Sequence, residues 1–139
     1  LLAGPAWQWH SNDFKKIFTL QLLYKQYLKG NNGLDAFASF QVTPVWSITF
    51  ARGLCTFSGF FDLWWGNTPK NTYNGNPNKK SLVFLTEPQF WFNLVGRNRQ
   101  NQKFSVGTEF ECSNNFIWYT NNKNNTFYWN PTIAVKYVF

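Results

Sequence analysis

Apolar and polar residues alternate along most of this chain with a period of two. The stretch FYWNPTIAVKYVF shows this best, because every second residue from Phe127 to Phe139 is apolar or aromatic and the others are mostly small or polar. Successive side chains of a β-strand point to opposite faces, so the stretch predicts a strand with one apolar and one polar face. The same alternation predicts six further strands, at residues 1–10, 17–28, 36–50, 54–65, 81–95 and 103–113.

The length of these strands bears on their surroundings. They run to about 9 to 15 residues, whereas strands of soluble proteins usually have about five or six and a bilayer is crossed by about 9 to 11 tilted residues. The polar parity carries many small residues, which would fill a soluble interior poorly, and the apolar parity ends in Trp and Tyr as an interfacial girdle does. The pattern predicts an all-β fold, a transmembrane antiparallel β-barrel, over a soluble sandwich or a lipocalin-like barrel.

Seven strands cannot close a single-chain bacterial barrel, which has an even number of strands. We therefore expect residues 1–139 to be a single domain that forms the C-terminal strands of an outer-membrane β-barrel, with an odd number of N-terminal strands missing. The predicted connections alternate between long ones, such as residues 66–80, and short ones, such as residues 51–53. Long loops of such barrels face outwards and short turns face the periplasm, so we expect a periplasmic C-terminus.

The amino-acid composition limits the classes of partner that we expect for this chain. Aromatic residues make up 22% of the chain and charged residues only 14%, and no apolar run is long enough for a membrane-spanning helix. The net charge of +7 is scattered and forms no basic stripe interleaved with stacking aromatics, so we expect no nucleic-acid partner. Cys55 and Cys112 both fall on the apolar parity with a strand between them, and we expect two buried thiols rather than a metal site.

Candidate chemistry lies on the polar parity, which would face the lumen. Glu87, Glu109 and Glu111 predict an acidic stripe on adjacent strands, or else a solvated wall salt-bridged to lysines. Trp91 offers either a stacking face for a flat solute or packing within the lumen. The residues expected to line the lumen are Lys25, Asp62, Glu87, Gln89, Trp91, Asn93, Glu109, Glu111 and Lys136.

Catalytic chemistry is poorly represented. His10 is the only histidine, it falls at a strand end, and no serine motif accompanies it. A nucleophile needs a base within reach, so we expect no enzyme, with no catalytic residue, cofactor or metal.

Several stretches of the chain resemble known proteins. FYWNPTIAVKYVF resembles the C-terminal signature of outer-membrane barrels, which implies that Val135, Tyr137 and Phe139 are recognised by the barrel-assembly machinery. The stretches AGPAWQWHSNDF, FTLQLLYK, FSGFFDLWW, LTEPQFWFNL and SVGTEFECSNNF resemble the second half of a family of outer-membrane barrels grouped with the Tsx-like nucleoside-channel porins. This second resemblance spans nearly the whole chain except the loops, and it implies a barrel of twelve strands, five of them before Leu1.

Two functions remain open. The first is a passive diffusion channel for nucleosides or similar small polar solutes, selected by the width and lining of the lumen. The second is a structural or accessory barrel with an occluded lumen, docked in a larger outer-membrane protein assembly. The expected partners are outer-membrane lipid, the assembly machinery and, for the second function, other outer-membrane proteins.

Overall fold

The computed structural model describes residues 1–30, 34–68, 71, 75–76, 78–95, 103–116 and 125–139. In these ranges the protein is all-β, and its strands pair antiparallel in one sheet. No helix in these ranges has the length and apolarity that crossing a membrane requires. The strands are β1 (Leu2–Ala3), β2 (Ala6–His10), β3 (Lys16–Tyr27), β4 (Phe37–Phe50), β5 (Cys55–Asn67), β6 (Lys80–Thr86), β7 (Gln89–Val95), β8 (Phe104–Asn114) and β9 (Phe127–Tyr137).

These nine strands follow the seven predicted ones, because two of the predicted strands are each interrupted once. β6 and β7 continue each other in one register, since Phe61 pairs with Thr86 and Ser58 with Gln89 across the same strand β5. The break falls at Pro88, which has no N–H to donate to the ladder. β1 and β2 likewise share one register against β3 and are separated at Gly4 and Pro5.

The sheet follows the chain order. β3, β4 and β5 pair in succession, β5 pairs with both β6 and β7, these pair with β8, and β8 pairs with β9. Among the described strands, β9 pairs on one side only, as do β1 and β2 at the opposite end. Within the described residues the sheet therefore has two unpaired edges. The connection predicted over residues 96–102 and most of the one over 114–125 lie outside the described residues.

The two faces of the sheet have the predicted composition, and their exposure is the reverse of that in a soluble domain. On the polar face, defined by the parity of Thr56 and Asn93, most buried side chains are polar. On the apolar face, defined by the parity of Phe92 and Ile133, large side chains are exposed, and Ile133 has 88% of its surface accessible. The exposed residues of this face include Trp7, Phe40, Trp65, Phe92, Trp129, Ile133 and Val135.

Both cysteines are buried free thiols, as expected. They lie on the apolar face, where larger neighbours cover them. Cys55 sits in register between Phe50 and Phe92, and Cys112 is paired with Trp129 of β9.

The short connection between β4 and β5 is a 3-10 turn at Ala51–Gly53. Ala51, Arg52 and Gly53 all have positive φ, between 51° and 88°. Glycine adopts this left-handed conformation freely, whereas the other two residues adopt it at a cost of about 1–2 kcal/mol each. The turn reverses the chain within a few residues, as the short connection at this position predicts.

Candidate functional site

The polar face of the sheet is concave, and a cavity of about 350 Å³ opens on it. In a flat sheet with strands about 4.8 Å apart, β3 and β8 would lie about 19 Å from each other, four strands away. Side chains of β3 nevertheless line the same cavity as residues that directly follow β8, so the sheet curves around its polar face. The lining residues include Lys25, Tyr27, Trp64, Val83, Asn115 and Phe116.

Lys25 lies over a tryptophan at the edge of this cavity. Its Nζ is 4.0 Å from the centroid of the Trp64 ring and donates a hydrogen bond of 2.8 Å to Gln41 Oε1. Gly66, two residues after Trp64 on the same face, leaves room for the indole, since a Cβ there would be 2.9 Å from Trp64 Nε1. Trp64 is 8% exposed and meets Phe116 edge-on at 5.9 Å.

A series of hydrogen bonds joins Lys25 to Asp62 across β3, β4 and β5. Gln41 accepts from Lys25 and donates to Thr43 Oγ1 at 3.0 Å, and Thr43 donates in turn to Asp62 Oδ1. The lysine and the carboxylate are thus linked through neutral side chains rather than through a direct ion pair. Two of the residues expected to line a lumen, Lys25 and Asp62, belong to this one network.

A second lysine–tryptophan contact lies nearer the other end of the strands. Lys136 Nζ is 4.8 Å from the Trp91 ring centroid. Gly107 lies directly across from Trp91 on β8, and a Cβ there would clash with Phe90 O and come within 2.6 Å of the Trp91 ring. Trp91 is only 6% exposed. Of the two alternatives for Trp91, the structure has packing within the polar face rather than an open stacking face, because the side chain is buried and Lys136 lies over its ring.

Asn93 is fully buried in the polar wall. Its Nδ2 donates to Gly53 O at 2.9 Å and to Thr56 Oγ1 at 3.0 Å, and its Oδ1 accepts from Ser105 Oγ at 2.8 Å. Ser105 is fully buried as well. Asn93 thus ties β5, β7 and β8 together beside the 3-10 turn, and it is a structural group rather than an accessible lining residue.

The acidic stripe forms as the strand parity predicts. Thr86 pairs with Cys112 and Gln89 with Glu109, so the shared register sets Glu87 directly opposite Glu111. Like charges on facing residues of a sheet destabilise it. Gln89 lies within the same cluster, because its Nε2 donates to Glu87 Oε1 at 2.8 Å and its Oε1 accepts from Trp91 Nε1 at 3.1 Å.

Lysines do not neutralise this stripe in the described part of the chain. The one ion pair found there joins Lys15 to Asp13, at 3.0 Å, in the turn before β3. The salt-bridged wall, which was the ordinary alternative for the three glutamates, is therefore absent from these residues. No group of three or more His, Cys, Asp or Glu side chains among them is arranged to hold a metal ion.

The C-terminal residues lie on the unpaired edge. Val135, Tyr137 and Phe139 are all exposed, and the rings of Tyr137 and Phe139 meet edge-on at 5.0 Å. The backbone N–H of Val138 donates to Lys103 O at 2.9 Å, so pairing continues past the end of β9. The apolar parity of this strand is free for contact with other molecules.

Sequence parity placed most of these groups on the polar face but did not reveal the lysine–tryptophan contacts. The spacing of Trp64 and Gly66, two apart on one face, is a local signal for the first contact. The second depends on Gly107 facing Trp91 across two strands, which requires the register.

A match to a known family extends over all the residues described in this section. Residues 1–139 match a family described as a domain of unknown function, DUF5020. The chain belongs to the DUF5020 family. No curated protein and no solved structure matches it. The DUF5020 match includes both lysine–tryptophan contacts, the Asn93 network and the acidic stripe.

Proposed function

We propose that this DUF5020 chain forms part of an outer-membrane β-barrel that acts as a passive diffusion channel for small polar solutes, with nucleosides among the candidates. In this proposal the apolar face meets lipid and the concave polar face lines the lumen. The two unpaired edges would join further strands, since unpaired N–H and C=O groups cost several kcal/mol each in hydrocarbon.

The reversed exposure of the two faces is the observation that carries the proposal. A soluble sheet buries its apolar face and leaves polar groups in water. Here Asn93 and Ser105 are fully buried whereas Ile133 and Trp129 are exposed. An apolar environment outside the sheet would make such an arrangement favourable, because exposed apolar area costs about 25 cal/mol per Å² in water.

Fluorescence quenching tests where the apolar face lies. Single-tryptophan variants of the full-length protein, one keeping Trp129 and one keeping Trp91, are folded into vesicles whose acyl chains carry bromine. Trp129 is 70% exposed on the apolar face and Trp91 is covered on the polar face, so only Trp129 should be quenched strongly. Equal quenching of the two would argue against lipid contact.

The lining of the polar face supports a cation preference for the channel. Four carboxylates, those of Asp62, Glu87, Glu109 and Glu111, lie on the polar face, and no lysine forms an ion pair with them among the described residues. Rings of Asp and Glu side chains are what cation-selective pores use. Of the described lysines on this face, Lys136 lies over Trp91, and Lys25 lies over Trp64 and is linked to Asp62 through Gln41 and Thr43.

A second function, an accessory barrel with an occluded lumen, is favoured by the filling of the polar face. Trp64, Trp91 and Asn93 are all buried there, although one side of the concavity faces no other strand in the described residues. Conductance of the full-length protein in a planar bilayer separates the two functions. Stepwise ion current supports the channel, and correctly inserted protein that passes no ions leaves the accessory barrel.

Orientation and assembly follow from the same proposal. The 66–80 connection would face the cell exterior, and the 3-10 turn and the C-terminus would face the periplasm of a Gram-negative cell. The exposed Val135, Tyr137 and Phe139 on an unpaired edge would be available to the barrel-assembly machinery.

A further inference from the structure

The cavity beside Lys25 has the properties of a ligand site. Its volume of about 350 Å³ falls in the range of ligand pockets, about 300–1,000 Å³. Three aromatic side chains, those of Tyr27, Trp64 and Phe116, form much of its wall, and the almost fully buried Val83 lines it as well. Side chains from β3, β5 and β6 converge here with residues that follow β8, so the site depends on the folded sheet.

Among the described residues that line this cavity, Lys25 is the one with a positive charge, and it makes a single hydrogen bond to the described part of the chain. The Lys25 ammonium carries three N–H donors, and its one hydrogen bond to a described residue goes to Gln41 Oε1. The nearest carboxylate in the network, Asp62, accepts from Thr43 and makes no ion pair with Lys25. The flat faces of Trp64 and Tyr27, at 4.0 Å and 5.4 Å, contact the ammonium but cannot accept a charge-assisted hydrogen bond.

We propose that this cavity binds a small organic anion, a carboxylate carried on an aromatic ring. The carboxylate would accept hydrogen bonds from the Lys25 ammonium, and the ring would pack against Tyr27 and Phe116, the two aromatic side chains of the wall that keep exposed surface. A carboxylate without a ring would leave the aromatic wall uncovered. An aromatic cation would be repelled by the positive charge of Lys25. The site does not depend on ion passage through the proposed channel.

Titration calorimetry on the full-length protein in detergent micelles tests this with three probes of related shape. Phenylacetate should bind with measurable heat. Acetate, which lacks the ring, should bind with an affinity at least about tenfold lower. Phenethylamine, which replaces the carboxylate with an ammonium, should not bind. Equal binding of phenylacetate and phenethylamine would overturn the proposal, and this series needs no variant.

Variants then assign the site to its residues. Lys25→Gln should weaken phenylacetate binding about tenfold or more, because a charge-assisted hydrogen bond is lost. Lys136→Gln is the matched control, since Lys136 also lies over a tryptophan but does not line this cavity. Unchanged affinity in Lys25→Gln, or an equal loss in Lys136→Gln, would refute the site. If the protein conducts ions but does not bind phenylacetate, only the ligand site is refuted. If it binds phenylacetate but does not conduct ions, only the channel is refuted.

Discussion

Single residues on the polar face control how closely large side chains can pack. Gly66 and Gly107 each leave the space that an indole occupies, and each tryptophan in turn supports a lysine. A Cβ at Gly107 would meet backbone as well as ring atoms, so the strand itself would have to move. Glycine is therefore needed here for close approach rather than for an unusual φ.

Asn93→Ala should destabilise the protein by about 2–3 kcal/mol, since Gly53 O and Ser105 Oγ lose the bond to Asn93 and Thr56 Oγ1 keeps only its contact with Thr49. The free energy of unfolding is measured by urea titration in micelles or vesicles. Asn130→Ala, at an exposed position of β9, is the control and should change stability little. Equal losses in the two variants would contradict the role assigned to Asn93.

Asp13 predicts a pH-dependent contribution from the turn before β3. The pKa of the Asp13 carboxyl lies well below its ordinary value, because the carboxyl accepts hydrogen bonds. The donors are Ser11 Oγ, at 2.7 Å, and the side-chain ammonium and backbone N–H of Lys15. A carboxyl group with a lowered folded-state pKa stabilises the fold above its unfolded-state pKa, and this contribution is lost as pH falls towards the folded value.

The urea midpoints of the unaltered protein and Asp13→Asn should therefore differ at about pH 7, and the difference should shrink only as pH falls below about pH 4 towards the lowered folded-state pKa of the carboxyl. A difference that stays constant over this range would show that the carboxylate charge is not involved.

Individual strands show how far the sequence determines the fold. Strict alternation predicts which face each side chain occupies, because a strand has a period of two. The interruptions at Pro5 and Pro88 do not change that parity, since the register continues on both sides of each break. What alternation could not predict is which residues meet across strands. The Lys136 and Trp91 contact depends on three strands lying in one register, and no single stretch of sequence contains that information.

Strand β9 allows a test of whether the apolar face contacts lipid. Its exposed side chains pack little within the sheet, so packing does not obscure the result. Ile133 and Thr132 are adjacent and both exposed, but they lie on opposite faces. In lipid, Ile133→Arg should cost about 2–4 kcal/mol, whereas Thr132→Arg on the polar face should be tolerated. If water surrounds both faces, each substitution should change stability by no more than about 0.5 kcal/mol. Unfolding titrations in vesicles distinguish the two outcomes.

At the scale of the whole molecule, the described sheet is a curved wall with one polar side, one apolar side and two open edges. The 3-10 turn between β4 and β5 lies at one end, and β5 ends and β6 begins at the other, so the predicted 66–80 connection is shortened to the residues between Asn67 and Lys80. Loop contacts also occur at the second end, where Asn78 Nδ2 donates to Asp35 Oδ2 at 2.6 Å. In the proposed barrel these two ends lie on opposite sides of the membrane.

Labelling of intact cells tests that orientation. A cysteine at exposed Asn76 should react with an impermeant maleimide, and a cysteine at exposed Arg52 should not. The natural thiols of Cys55 and Cys112 are buried, which keeps the background low. Labelling at Arg52 alone would mean that the orientation is inverted.

Replacing Glu87, Glu109 and Glu111 together by glutamine should lower the cation-to-anion permeability ratio of the full-length channel, because three carboxylates that form no ion pair with a described residue are removed from the polar face. The ratio is obtained from reversal potentials in a planar bilayer under a salt gradient. Glu→Gln keeps the side-chain size, so the single-channel conductance reports whether the pore width is preserved. A ratio that does not change would exclude these residues from the selectivity of the pore.

The order of strand pairing has a consequence for the time course of assembly. If β1 with β2, and β6 with β7, are each counted as one interrupted strand, every described strand pairs only with its neighbours in sequence. The sheet can therefore form by adding one hairpin at a time. Each addition closes a short loop, and hairpins of this kind form in about 1–10 μs. Joining the edge of β9 to a strand distant in sequence closes the longest loop, at the largest entropic cost. Closure of the proposed barrel is therefore the last step and the slowest, and until it occurs each open edge can still pair with a helper protein or with the wrong chain.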